Sequence, residues 1–398
     1  MTQSILSAMV LFALCACGDD DANTTDAGGT GGSGGVGGVA ASGGSGGTAG
    51  SSGTGSGGTA GSGGSAGTGV GATGGDAGSA GVSSPNIGIS SQFPDDIHIA
   101  EHPSVIFHSD FEDDFDGWTR HTQNPDRLDV IDDFTISHAG QRYLRAQVTR
   151  TDLAQDTYVG VNAQLDFPRR VPQVFVRFYA RFVGQTATPH HWVRLAAGTQ
   201  SFQTDGLANT RPQGDDGFWF DLDARRDQRF NFYVYWYEMR SGRCNDGSAV
   251  PGCAGDQGNT YYYGNNFTPA DQEPFARDAW LCLEFMAKAN TVGSSDGELA
   301  LWKDDQLVGH YQPGSPRGRW LRDNFYTWGH YYQDEQAFEG FDFRSSDDVL
   351  FKRFTLDAYY EEGSLNDYAM ELPTPEAQII LYDDVVIAEE RIGCMTRP

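Results

Sequence analysis

From Asn231 to Tyr237 the chain reads Asn-Phe-Tyr-Val-Tyr-Trp-Tyr. In an extended strand successive side chains point to opposite faces. Phe232, Val234 and Trp236 therefore share one face, and Tyr233, Tyr235 and Tyr237 the other. The same alternation recurs. Val174, Val176, Phe178 and Ala180 form one face, with Arg177, Tyr179 and Arg181 opposite. Phe218, Phe220 and Leu222 form another, with Trp219, Asp221 and Asp223 opposite. Strands are expected over 174–182, 217–223, 231–239, 280–288, 298–303, 349–356 and 379–388, separated by Pro, Gly, Asn and Asp clusters. No long segment carries helical periodicity.

Many antiparallel strands over some 300 residues predict an all-β fold, a two-sheet antiparallel sandwich of jelly-roll type. The absence of a repeat of fixed period argues against a propeller. The strand-rich part starts only at Phe93. Residues 27–81 hold 27 of the chain's 52 Gly, and no aromatic residue lies between Phe12 and Phe93. Such a tract buries too little apolar surface to offset its ordering entropy and is expected to stay disordered. Three segments follow: a signal peptide over 1–16, a disordered tether over 17–92 and one folded domain over 93–398. As a flexible coil the tether reaches roughly 45 Å.

Ser4–Ala16 is an apolar run too short to span a membrane and suited to a secretory signal. It ends in Leu14-Cys15-Ala16-Cys17, which resembles the bacterial lipobox. That resemblance implies cleavage before Cys17, lipidation of its sulfur, and an exported protein anchored in the cell envelope. No Lys or Arg precedes the run. Four Cys remain after the signal: Cys244, Cys253, Cys282 and Cys394. An even number in an exported domain points to disulfides. Cys244 and Cys253 bracket a turn-rich loop, and if they pair, Cys282 and Cys394 are left for each other. A zinc site is the rival, although paired Cys-x-x-Cys units are absent. Asp and Glu outnumber Lys and Arg by 54 to 27, giving a net charge of −27. This disfavours nucleic acid and anionic membrane surfaces as partners, leaving the lipid as the only membrane contact.

Three stretches, VFVRFYARF with HHWVRLAAG, FYVYWY, and WLCLEFMAKANTVGSSDGELALWKDDQLV, together with the closing LYDDVVIAEERIGC, resemble the concanavalin-A-like jelly rolls of alginate- and glucuronan-cleaving polysaccharide lyases. The resemblance covers most of residues 104–394. It implies β-elimination on a uronic-acid-containing polysaccharide, here by a chain expected to be monomeric and, from its lipobox, surface-anchored. It also implies acid/base duty for a Tyr-x-Tyr pair, here Tyr233 and Tyr235.

That chemistry removes a weakly acidic proton next to a carboxylate, so the carboxylate must first be neutralised. From Phe167 to Thr204 there is no Asp or Glu, while Arg169, Arg170, Arg177, Arg181, Arg194, His190 and His191 cluster there. Arg177, His191 and Arg194 are the candidates to face the carboxylate. Tyr179, Arg181, His190, Trp192, Trp219 and Tyr237 are the candidates to bind sugar. Two departures from the family pattern stand out. Arg194 replaces a common Lys, and Asp221 falls where a guanidinium is usual, a carboxylate that would repel a uronate. A hydrolase built on Glu-x-Asp-x-x-Glu is disfavoured, because the nearest match, Asp221 to Arg226, ends in Arg. A carbohydrate-binding module without catalysis is the alternative, and a scaffold that touches no sugar is a third.

The resemblance further implies a structural calcium ion joining the domain's ends. Glu112 and Asp384 would hold it, with Asp383 as substitute and oxygens from Ser137 to Gln141. Calcium takes about six to eight such oxygens. Everything functional in this reading requires the cationic side chains of 177–194 and the phenols of 233–235 to share one trough.

Overall fold

Alternation places the strands, and their apolar faces then find each other. In chain order they are β1 (Val105–Ser109), β2 (Arg120–His121), β3 (Leu128–Asp132), β4 (Arg142–Thr149), β5 (Tyr158–Val171) and β6 (Gln173–Phe182). Next come β7 (Val193–Gly198), β8 (Gly217–Ala224), β9 (Phe230–Tyr235), β10 (Asn265–Thr268), β11 (Leu281–Lys288) and β12 (Glu298–Lys303). The last are β13 (Gln306–Tyr311), β14 (Arg319–Leu321), β15 (Asn324–Tyr326), β16 (Leu350–Glu361) and β17 (Ala377–Ala388). The computed structural model describes residues 88–397 apart from 116, 119, 122–124, 156–157, 204–206, 240–261, 270–271, 315–318, 322–323, 327–336 and 363–375. The signal segment, Cys17, the Gly-rich tract, Cys244 and Cys253 lie outside the described residues.

The strands form two sheets. One has eight strands in the order β13-β12-β11-β6-β17-β4-β3, with β1 also on β17. The other has nine, in the order β14-β15-β10-β9-β8-β7-β16-β5-β2. Pairing is antiparallel except between β10 and β15. Strands adjacent in a sheet are often distant in sequence, as with β6 and β17 or β7 and β16, which is the jelly-roll signature. The inner faces supply one continuous core. Val174, Val176, Phe178 and Phe182 of β6 and Leu283 and Phe285 of β11 belong to it. Phe218, Phe220 and Leu222 of β8 and Phe232 and Val234 of β9 come from the other sheet. Stripping even one of these aromatic side chains would cost about 3–5 kcal/mol.

Two boundaries differ from the sequence reading. β9 ends at Tyr235, and Trp236 turns into the core, its indole N–H donating to Asn265 Oδ1 at 3.0 Å. β16 runs on to Glu361, beyond the expected Leu356, which brings Asp357 and Tyr359 into the sheet. The fold also takes in residues counted with the tether. Ile89 and Ser90 are buried, and their amides donate to the carbonyls of Arg391 (3.0 Å) and Ile392 (2.9 Å). The two ends of the domain thus lie together over the outer face of the eight-stranded sheet. Cys282 of β11 is bonded to Cys394 there.

Candidate active site

Strand register assembles a polar row across the outer face of the nine-stranded sheet. Gln164 of β5 pairs with Thr355 of β16, which pairs with Arg194 of β7. Arg194 pairs with Asp221 of β8, which pairs with Tyr233 of β9, which pairs with Asn266 of β10. Directly paired residues share a face, so these side chains lie side by side. A second row holds Asn162, Asp357, Asp223 and Asn231. His191 enters beside it through an isolated bridge to Tyr359.

The contacts are charge-assisted. Arg194 grips Asp221 with two bonds, Nε to Oδ1 at 2.6 Å and Nη2 to Oδ2 at 2.9 Å, a fork that fixes both groups. Asp223 Oδ1 accepts the Trp192 amide at 2.9 Å, and its Oδ2 stands 3.4 Å from His191 Nδ1. The His191 ring lies 4.8 Å from the Tyr233 ring and 6.1 Å from that of Tyr359. Burial works against a charge on His191, but Asp223 and Asp221 outweigh it and push its pKa up to about 9. Burial, reinforced by Asp221 and opposed by Arg194 and His191, pushes the Asp357 carboxyl up to about 7. The site thus combines a held imidazolium, a clamped guanidinium, a half-exposed phenol and a carboxyl poised near neutrality. Groups of this kind serve proton transfer.

His191, Arg194 and Tyr233 converge as the sequence suggested. Tyr235 and Trp219 share this face but stack on each other at 4.3 Å and are each about 4% exposed. They form the floor and offer little surface to a ligand. His190 stands at the rim, its Nδ1 3.7 Å from Glu361 Oε1. Tyr237 lies past the end of β9, under the Arg211 guanidinium at 5.8 Å.

Four expected site residues are elsewhere. Trp192 is wholly buried in the core, its indole donating to Tyr382 Oη at 2.7 Å. The alternation that runs through β7 begins only at Val193, so it does not extend back to Trp192. Arg177, Tyr179 and Arg181 belong to β6 of the other sheet, and because their partners on the strand point into the core they face away from the site. Arg177 is fully buried and paired with Asp96, and Tyr179 Oη accepts the Met395 amide at 2.8 Å. The single trough of cations and phenols is therefore incomplete: it holds Arg194, His191 and Tyr233 without the residues of β6. Asp357, Tyr359 and Asn231 were missed. Asn231 precedes Tyr233 at period two and was legible, whereas Asp357 and Tyr359 lie beyond the expected end of their strand.

The calcium candidates meet on the eight-stranded sheet's outer side. A cavity of about 670 Å³ is lined by Asp95, Asp110, Glu112, Ser137, His138, Gly140 and Asp384, among others. Its charge suits a hard cation, but several oxygens already accept N–H groups. Glu112 Oε1 takes the amides of Gln141 and Arg142 at 2.5 and 2.8 Å. Asp384 Oδ2 takes His138 Nδ1 at 2.6 Å, and Asp383 Oδ2 takes the His138 amide at 2.9 Å. Gly140, at φ +61°, lets Glu112 approach; a Cβ there would stand 2.2 Å from its Oε1. Glu112 and Asp384 thus line one cavity, with His138 occupying one direction of the Asp384 carboxylate. Asp383 is fully buried and is not among the residues that line the cavity.

No protein-family model matches the chain, and no curated protein sequence matches it. Among solved structures it is similar to the alginate lyase vAL-1 from Chlorella virus, with 13% identity and a TM-score of 0.45, over 71% of this chain and 99% of that one. It is also similar to a marine PL-14 alginate lyase from Aplysia kurodai, with 16% identity and a TM-score of 0.44, over 71% and 98%. A third is an endo-β-1,4-glucuronan lyase from the fungus Trichoderma reesei, with 12% identity and a TM-score of 0.43, over 71% and 95%. Identities this low carry no chemistry from those proteins to this one, so the side chains themselves must supply it.

Proposed function

We propose that the domain is a polysaccharide lyase that cleaves a uronic-acid-containing polysaccharide by β-elimination. The convergence of His191, Arg194 and Tyr233 on one open sheet face carries this reading. Arg194 and His191 face the uronate carboxylate and disperse its charge, which acidifies the neighbouring C–H. Tyr233 manages the proton: the C–H pair of electrons becomes the new double bond, the glycosidic C–O bond breaks, and the leaving oxygen is protonated. Tyr235 and Trp219 support the floor beneath the sugar. Anchoring of this domain through a lipidated Cys17 belongs to the same proposal and rests on the lipobox resemblance.

The test is absorbance of unsaturated chain ends on alginate, glucuronan and related polymers. Tyr233→Phe is expected to lower turnover by about 100-fold or more, as removal of a proton-transfer group does. Tyr235→Phe should stay within a few-fold of the parent. Absence of product from every uronate polymer defeats the reading. Glycan binding without turnover would then favour a non-catalytic binding module. The capture of Arg194 by Asp221 is the observation that keeps this second reading in view.

A calcium ion held by Glu112, Asp384 and loop 137–141 would clamp the two ends of the domain away from the chemistry. Chelation should then lower the melting temperature by several degrees, and calcium added back should restore it. An unchanged melting curve removes the ion from the account.

A further inference from the structure

The floor of the site gathers three carboxyl groups. Asp221, Asp223 and Asp357 face one guanidinium and one imidazole. His191 Nδ1 lies 3.4 Å from Asp223 Oδ2 and 3.7 Å from Asp221 Oδ2. The first is a long hydrogen bond and the second lies beyond hydrogen-bond reach. Both also fit another geometry: ligands about 2.1 Å from a tetrahedral ion stand about 3.4 Å from each other. His191, Asp221 and Asp223 each offer one ligand atom, all within 4.8 Å of one another. No other His, Cys, Asp or Glu trio among the described residues does so.

A second observation points to the same place from a different strand. Asp357 sits on β16, two residues from Thr355, the partner of Arg194, and two from Tyr359, the partner of His191. Its Oδ1 is buried and has no hydrogen-bond partner, and the charged groups that act on it are Arg194, Asp221 and His191. A buried carboxylate oxygen without a donor is costly unless something positive reaches it. Arg194, gripping Asp221 from the side, would orient that carboxylate as an outer partner does in a metal site.

We propose that His191, Asp221 and Asp223 hold a divalent cation of the zinc type as three ligands of a tetrahedral shell, its fourth position left for a ligand and Asp357 of β16 adding a nearby negative charge. A nitrogen with two carboxylate oxygens suits a first-row ion better than magnesium or calcium. The proposal rests on the lyase reading and sharpens it. Three carboxylates against a dication and Arg194 balance, so a floor that would repel a uronate becomes one that receives its carboxylate at the ion. Asp221, the residue that most weakens the family resemblance, acquires a purpose.

Zinc binding to the full-length chain is measured by equilibrium dialysis, alongside His191→Gln, Asp223→Asn and, outside the cluster, the exposed Asp347→Asn. Near-ultraviolet circular dichroism checks that each variant is folded. The two cluster variants are expected to bind at least tenfold more weakly and Asp347→Asn as tightly as the parent. Cobalt(II) in the parent should give the visible spectrum of a tetrahedral site, a readout that needs no variant to fold. Failure of the parent to bind zinc, equal binding by the cluster variants, or an octahedral cobalt spectrum overturns the site. Unsaturated ends released at the same rate before and after chelation also overturn it while leaving the lyase intact. Cluster-dependent zinc binding without any unsaturated ends upholds the ion and removes the lyase.

Discussion

The two outer faces of this sandwich carry the same vocabulary and use it oppositely. β6 presents Arg177 and Tyr179 at period two, and β7 and β9 present Arg194 and Tyr233. On the nine-stranded sheet the cation and phenol remain partly open, clamped sideways to Asp221 and stacked near His191. On the eight-stranded sheet the two ends of the domain close over them. Asp95 donates its amide to Thr396 at 2.8 Å, and Asp96 reaches Arg177. Arg391, with the amides of Ile392 and Gly393, neutralises the buried Glu284. A strand's own residues set which side chains share a face. Whether that face becomes a site or an interior depends on segments far away in the chain.

The cover is held by Cys282–Cys394, which closes a loop of sequence separation 112. Constraining a loop of that length stabilises the fold by about 4–5 kcal/mol in the chain-entropy account. Cys282→Ser with Cys394→Ser should therefore lose roughly that much in denaturant unfolding, the largest effect expected from this face. A loss below about 1 kcal/mol would mean that the cover holds without its bond and that the contrast between the faces is not mechanical.

Removing the charge beneath the cover comes next. Arg177 is completely buried, its Nε and Nη1 unpaired and its remaining end on Asp96. Deleting one member of such a pair strands the other, at about 3–5 kcal/mol. Asp96→Ala should show that loss in chemical denaturation while leaving any turnover per folded molecule unchanged. A fall in turnover with stability intact would move Arg177 back into the chemistry and break the comparison.

Much of this was legible beforehand. Alternation located β6, β8, β11, β12 and β17 closely, since one apolar face per strand is what a sandwich demands. His191, Arg194 and Tyr233 could be nominated because an acid-free stretch and a tyrosine ladder are visible without coordinates. The role of Arg177 could not. Period two assigns a residue to a face but does not say that residues 89–101 and 391–397 will lie on it. Trp192 failed for a local reason: it precedes the first residue of β7, so it is free to turn inward. Asp357 and Tyr359 were hidden because the strand was ended at Leu356, although Ala358 and Tyr360 continue its buried face and pairing with β5 runs to Glu361. Polar residues on an outer face leave no hydrophobic trace, and that is where sites are built.

Tyr179 gives the mildest test of the covered face, and a reversible one. Burial, against the pull of Arg177 and the Met395 amide, pushes its pKa from 10.0 up to about 12. The unfolded chain releases that proton near pH 10, and the folded chain holds it two units longer. Between those values the folded state binds more protons, so its stability falls as pH rises and is unaffected by this group below about pH 10. The full decline is about 2.7 kcal/mol, from 1.36 kcal/mol per pKa unit. Tyr179→Phe removes the titrating oxygen along with its bond to Met395, so it should start slightly less stable and lose less between pH 9.5 and 11.5. Urea midpoints at the two pH values measure both differences at once. A variant that declines as steeply as the parent would show that the phenol is wet, and that the terminal segments do not seal the face they lie on.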